Sequence, residues 1–372
     1  MRILLAICLS CSLLIVSAQN YYLFVGTYTG GKSKGIYVFQ FNAKNGEVQW
    51  VSNTDSANNP SFLTIAPDGK HLYAVNEIET DHSGKVSAYS FDPGNGTLHL
   101  LNQVASGSEN PCHVSITKDG KWVAVANYSG GSLAMFPVNT DGTLNPFAQH
   151  IIHKGKSINP ARQEKAHVHS VFFSPDEHYL YTPDLGMDKV TVYRFDPKSR
   201  KPLSPAPVPY ISTTPGAGPR HISFSPDKKF LYLIEEMGGS VDVYQYANGN
   251  TRFVQRIATH PENYTGLPGS ADIHLSPDGK FLYASNRGDE NNLAIFSVDR
   301  QSGKLTHVGY QRCGGLQPRN FIIDPTGNFL LVANQKTNNI VVYRRDRETG
   351  LLQATLQQIE VPSPVCLQML AK

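Results

Sequence analysis

Residues 270–287 read SADIHLSPDGKFLYASNR: an alternating run, a Ser-Pro-Asp-Gly turn and a second apolar-rich run. Two alternating runs joined by a Pro/Asp/Gly turn predict a β-hairpin. The same unit recurs as PSFLTIAPDGKHLYAVNE from Pro60, PCHVSITKDGKWVAVANY from Pro111, VHSVFFSPDEHYLYTPDL from Val168, PRHISFSPDKKFLYLIEE from Pro219 and PRNFIIDPTGNFLLVANQ from Pro318. The spacings between first residues are 51, 57, 51, 51 and 48. A third alternating run follows each hairpin (KVSAYSFD, KVTVYRFD, NIVVYRRD), and then a Gly-containing turn and a weaker fourth run. Four antiparallel strands repeating at about fifty residues describe the blade of a propeller.

Six full units leave two fragments. Residues 21–52 supply the last three strands of a blade (YYLFVGTY, GIYVFQFN, GEVQWVS), and Pro364-Val365-Cys366-Leu367 resembles a missing first strand. Pairing the C-terminal strand with the N-terminal three closes a ring and removes its exposed edges. The expected fold is therefore all-β: one seven-bladed β-propeller over residues 19–372. Residues 1–18 are expected to be a cleaved signal peptide, with Arg2 before an apolar stretch and Val16-Ser17-Ala18 at its end. That stretch is short for a membrane span, so the mature protein is expected to be exported, periplasmic or secreted, with no membrane segment.

Composition agrees. The chain has 31 Gly and 24 Pro among 372 residues, together about 15%, which suits a turn-rich fold. A formal charge of +3 gives no nucleic-acid footprint. The mature chain keeps three cysteines, Cys112, Cys313 and Cys366, too few and unevenly placed for a disulfide framework or a zinc site. No P-loop, GxSxG elbow or HExxH occurs, and the Asp residues recur once per blade as turns; no cofactor and no metal is expected. Nothing specifies an assembly beyond a monomer or weak homodimer.

The start of a first strand and the end of a second lie at the same end of a blade, so both face one mouth of the channel. Columns that repeat in every blade are structural, and deviations are candidates for chemistry. Asn76, Asn127, Asp184, Glu235, Asn286 and Asn334 form a nearly uniform column. The next position varies: Glu77, Tyr128, Leu185, Glu236, Arg287 and Gln335. The first-strand columns bring His169, Arg220 and Arg319, then His221 and Asp272, to the same mouth. The 57-residue spacing marks an insertion, HKGKSINPARQEKAHVHS (153–170), whose Arg162, Gln163 and His167 are candidates for a lid over an anionic substrate.

The segments NPARQEKAHVHS, GAGPRHISFSPD, SADIHLSPDGKFLYASNR and LQPRNF resemble the lactonase propeller family, across essentially the whole mature chain. That family includes bacterial propeller-type 6-phosphogluconolactonases and the fungal carboxy-cis,cis-muconate lactonising enzyme. The resemblance implies a small-molecule lactone or anionic sugar-acid substrate, with hydrolysis of a sugar lactone such as 6-phospho-D-glucono-1,5-lactone at the channel mouth. It implies catalytic roles for Glu236, His169, Arg220 and Arg287, and substrate contacts from His167, His221, Asp272, His274 and Arg319; the inserted loop adds Arg162 and Gln163 to the expected substrate contacts. The family's Asn-Glu pair reads Glu235-Glu236 here. The alternatives are a muconate-type cycloisomerase and a non-catalytic envelope propeller that binds a ligand or protein.

Overall fold

The computed structural model describes residues 20–55, 57–80 and 84–372; the expected signal peptide lies outside them. The described residues form seven four-stranded antiparallel sheets and no helix. Six sheets use four consecutive strands, for example Pro219–Phe224, Phe230–Glu235, Ser240–Ala247 and Asn250–Ala258 in blade four. The seventh pairs Pro364–Ala371 with Asn20–Thr27, from Tyr21 opposite Ala371 to Gly26 opposite Cys366. The ring closes as the two fragments predict.

The core lies between blades. Tyr22, Phe24, Ile36 and Val38 of blade seven pack on Leu63, Leu72, Tyr89 and Phe91 of blade one, and blades four and five meet through Tyr232, Ile234, Ile273 and Phe296. Because both faces of each sheet are covered, second strands such as Phe281–Asn286 are buried at every position. Tyrosines of the second strands also staple blades one, three, four and five to the next. Tyr73 Oη donates to Gly142 O (3.0 Å), Tyr181 to Gly249 O (3.2 Å), Tyr232 to Gly303 O (3.1 Å) and Tyr283 to Gly350 O (2.7 Å). Each receiving glycine has positive φ, from 74° to 81°, as its tight turn requires.

The Pro-Asp elements are turns. Ser225 Oγ donates to Asp227 at 2.6 Å, and Ser276 Oγ to Asp278 at 2.5 Å, while Asp278 also accepts the Lys280 amide. The three described cysteines are buried free thiols. Two first strands depart from the repeat. Blade one keeps only Leu63–Ile65, and blade three only Phe172–Phe173 with an isolated bridge from Val168 to Asp184, so residues 169–171 lie outside the paired strand although His169 N still donates to Pro183 O.

Candidate active site

First strands break register at the mouth. In blade four Pro219 pairs with Glu235 and His221 with Ile234, leaving Arg220 as an extra residue. Arg319 is bypassed in blade six and Cys112 in blade two. A bulge frees its residue from the alternation of the strand and re-aims its side chain. This local geometry, together with the longer ladder break at His169, turns Arg220, Arg319 and His169 towards the axis.

Glu236 is the hub. Its Oε1 accepts from Arg162 Nη2 at 2.7 Å, and its Oε2 takes Arg220 Nε and Arg287 Nη2, both at 3.0 Å. His169 Nε2 stands 3.8 Å from the same oxygen, beyond hydrogen-bond range. Arg220 Nη1 also donates to Ala271 O (2.5 Å), and Arg287 donates to the carbonyls of Gly269 and Ser270 (2.9 and 3.3 Å). Arg162 comes from the inserted loop and also reaches Tyr128 Oη at 3.2 Å. Arg319 makes no hydrogen bond or ion pair among the described residues; it lies over the Tyr28 ring, 5.6 Å from its centre, while Tyr28 Oη donates to Glu77 at 2.9 Å.

Charge and burial set these groups apart. Burial alone would raise Glu236, but Arg287, Arg220 and Arg162 outweigh it and hold the carboxylate far below its usual range. Burial, and then the cations Arg287 and Arg319, pull Arg220 down to about 10. Burial and the nearby Arg220 keep His169 well below the ordinary imidazole value, so it is neutral at pH 7. Its Nδ1 is buried without a partner among the described residues. The mouth therefore combines four guanidiniums, two carboxylates and one neutral imidazole.

The next tier down forms a closed belt. Phe62 packs against His113 with the rings tilted by 31° (ring centres 4.2 Å apart), and His113 Nδ1 accepts from Val171 N at 3.4 Å. Ser170 Oγ donates to Arg220 O, and His221 Nδ1 meets Asp272 Oδ1 at 2.8 Å. Asp272 Oδ2 accepts Phe321 N (3.3 Å), Asn320 Oδ1 accepts Leu367 N (2.7 Å), and Cys366 Sγ takes Leu63 N (3.3 Å). Each blade thus holds the innermost strand of the next.

The structure gathers Glu236, His169, Arg220, Arg287, Arg162 and Arg319 at one point, but separates the other expected contacts. His221 and Asp272 belong to the belt, with His221 under Arg220. His274 lies one tier further from the mouth. Gln163 is fully buried and ties its own loop, donating to Leu185 O and accepting Asn159 N. His167 stacks on Tyr128 and pairs with Glu164. Conversely, Tyr28, Glu77 and Tyr128 complete the mouth. Glu77 and Tyr128 occupy the variable column that holds Glu236 and Arg287, which was their signal; Tyr28, just after Asn20–Thr27, takes the equivalent place in blade seven, which the column did not include. Among the described residues no group of three or more His, Cys, Asp or Glu side chains is placed to hold a metal ion, and no helix is long and apolar enough to cross a membrane.

The family model described as a seven-bladed β-propeller lactonase matches residues 22–369. A 6-phosphogluconolactonase of Formosa agariphila is 42% identical over 93% of this chain and 99% of its own length, and one of Bacillus subtilis is 35% identical over 93% and 97%. A periplasmic gluconolactonase of Pseudomonas aeruginosa superimposes with a TM-score of 0.91 at 42% identity, covering 95% of this chain and 99% of that one. A crystal structure called a putative 6-phosphogluconolactonase, from Bacteroides fragilis, gives 0.90 at 44% identity over 95% and 98%. With a family model that spans residues 22–369 and relatives 35–44% identical over 93–95% of its length, this chain belongs to the seven-bladed β-propeller lactonase family.

Proposed function

We propose that the protein hydrolyses a sugar lactone, 6-phospho-D-glucono-1,5-lactone or a related aldonolactone, to the open acid. The observation that carries this reading is His169 Nε2 standing 3.8 Å from a carboxylate that three arginines hold. The relatives named 6-phosphogluconolactonase and gluconolactonase support it.

Glu236 is a poor general base because both its oxygens are committed to guanidinium donors, whereas His169 Nε2 has no hydrogen bond to it. Its role is to fix Arg220 and Arg287 and to offset their charge. His169 is the base. Its Nε2 takes a proton from the water that attacks the lactone carbonyl. Arg220 and Arg287 donate to the oxyanion, a service whose removal typically costs 10²–10³ in rate at a single donor. The proton then passes to the ring oxygen as the acyl–oxygen bond breaks. Arg319, with no carboxylate committed to it, holds the anionic end of the substrate.

The inserted loop covers the mouth through Arg162. Residues 1–18 are read as an export signal, a reading supported by the periplasmic Pseudomonas relative. Titration of released acid from purified protein, with phosphorylated and free gluconolactones, tests the activity. Failure to accelerate opening of either would overturn it.

A further inference from the structure

The belt is uncharged except across blades four and five. There Asp272 accepts His221 Nδ1 on one carboxylate oxygen and His274 Nε2 on the other, at 2.8 and 2.9 Å. His221 and Asp272 side chains are 5% and 4% exposed, whereas the His274 side chain is 39% exposed. His274 thus opens to the channel below the belt, and Arg220 Nη1 rests against both nitrogens of the His221 ring above it, 3.3 and 3.4 Å away. The imidazole–carboxylate–imidazole array spans the belt from the reactive mouth to the opposite side.

We propose that His274 is a positioning residue for the reaction at the mouth, acting from the far side of the belt through Asp272 and His221 on Arg220. This rests on the lactone reading of the mouth and adds a proton-linked control of anion binding to it. The array has room for one extra proton. On His221 it would face the Arg220 guanidinium, and burial with that neighbour pushes His221 down to about 4. On His274 it is stabilised: although burial opposes the charge, Asp272 outweighs it and raises His274. Asp272 is itself held well below the carboxylate range, against its burial, by His274 and His221.

Among the described residues no charge other than Asp272 is found against His274. The tier below the belt contains Thr64, Ser115, Phe172, Ser223, Ile322 and Gln368, all partly exposed, and Phe321 presents its ring edge to His274 from blade six. When His274 loses its proton, the array changes from neutral to a net negative charge beneath Arg220. An anion at the mouth then binds less well. Linkage makes the effect reciprocal, so a bound anion raises the His274 titration.

The experiment uses the whole protein and 6-phosphogluconate as the probe. Its dissociation constant is measured calorimetrically from pH 5.5 to 8.5 for the wild type and for His274→Gln, which keeps a donor to Asp272 but cannot titrate. The His274 ring is followed by NMR with and without the probe. The expected wild-type result is roughly fivefold weaker binding across the His274 titration, absent in H274Q, and a higher His274 titration midpoint in the complex. A wild-type-like pH dependence in H274Q, or a His274 midpoint unmoved by saturating 6-phosphogluconate, overturns the proposal. Neither readout requires turnover, so a protein that opens no lactone would sink the lactone reading alone.

Discussion

Glu235 and Glu236 are chain neighbours with opposite electrostatics, and Glu235 offers a test of stability. It occupies the column filled elsewhere by Asn76, Asn127, Asn286 and Asn334, whose amides serve backbone carbonyls. Glu235 is 0% exposed, and neither carboxylate oxygen has a partner among the described residues. Burial, and then the nearby Asp242, raise it well above 4.5. The folded state therefore binds a proton that the unfolded chain releases near its ordinary value of about 4.3. The stability linked to this proton is complete below that value and is lost as pH rises towards the folded value. Within the window the slope is about 1.4 kcal/mol per pH unit.

Glu235→Gln removes the titration and keeps the shape. Any change in packing or hydrogen bonding adds a constant offset, whereas the linkage adds a slope, so the two separate. Urea unfolding of both proteins at intervals from pH 4.5 to 7 should show the variant gaining on the wild type by about 1.4 kcal/mol per unit while the folded site stays protonated. A difference that is flat with pH, or that favours the wild type increasingly as pH rises, would refute the assignment of a buried neutral carboxyl.

Other outcomes follow from the mouth. Glu236→Gln leaves three guanidiniums without their carboxylate and should lower kcat at least 100-fold, measured by acid release. His169→Ala should lower kcat by 10²–10⁴, with the circular-dichroism melt retained. Arg319→Gln should raise KM for a phosphorylated lactone about tenfold or more, the loss of one charge-assisted contact, while a neutral lactone changes less than threefold. Tyr232→Phe deletes one blade-to-blade staple and strands Gly303 O, which should cost about 1–2 kcal/mol in urea unfolding without altering kcat.

The repeat made the fold legible. A fifty-residue period, a Pro-Asp turn and two complementary terminal fragments specify blade number and ring closure, because each unit must bury both sheet faces against its neighbours. Much of the mouth was legible too, since Glu236, Arg287, Arg220, Arg319 and His169 stand in columns that vary from blade to blade beside one that is nearly uniform. What the columns could not reveal was depth and hand. A bulge at Arg220 and Arg319 sends those side chains inward, while His221 and Asp272, one residue on, join the belt between blades. The inserted loop also split unpredictably: Arg162 reaches Glu236, whereas adjacent Gln163 turns into its own loop. Adjacent residues in an irregular loop share no period that would tell them apart.

The sheet that joins Asn20–Thr27 to Pro364–Ala371 also sets the timetable of folding. Tyr21 and Ala371 are partners across almost the whole chain, a far longer loop than any hairpin within a blade must close. Six blades can form from local contacts while the chain is still emerging, but blade seven waits for residues 364–371. Until they arrive, the Asn20–Thr27 edge and the flank of blade six are unpaired, and the axial belt lacks its Cys366 link to Leu63. Assembly of the reactive mouth is in this way coupled to completion of synthesis: a chain truncated before Pro364 would keep Glu236 and its arginines yet leave the ring that holds them open.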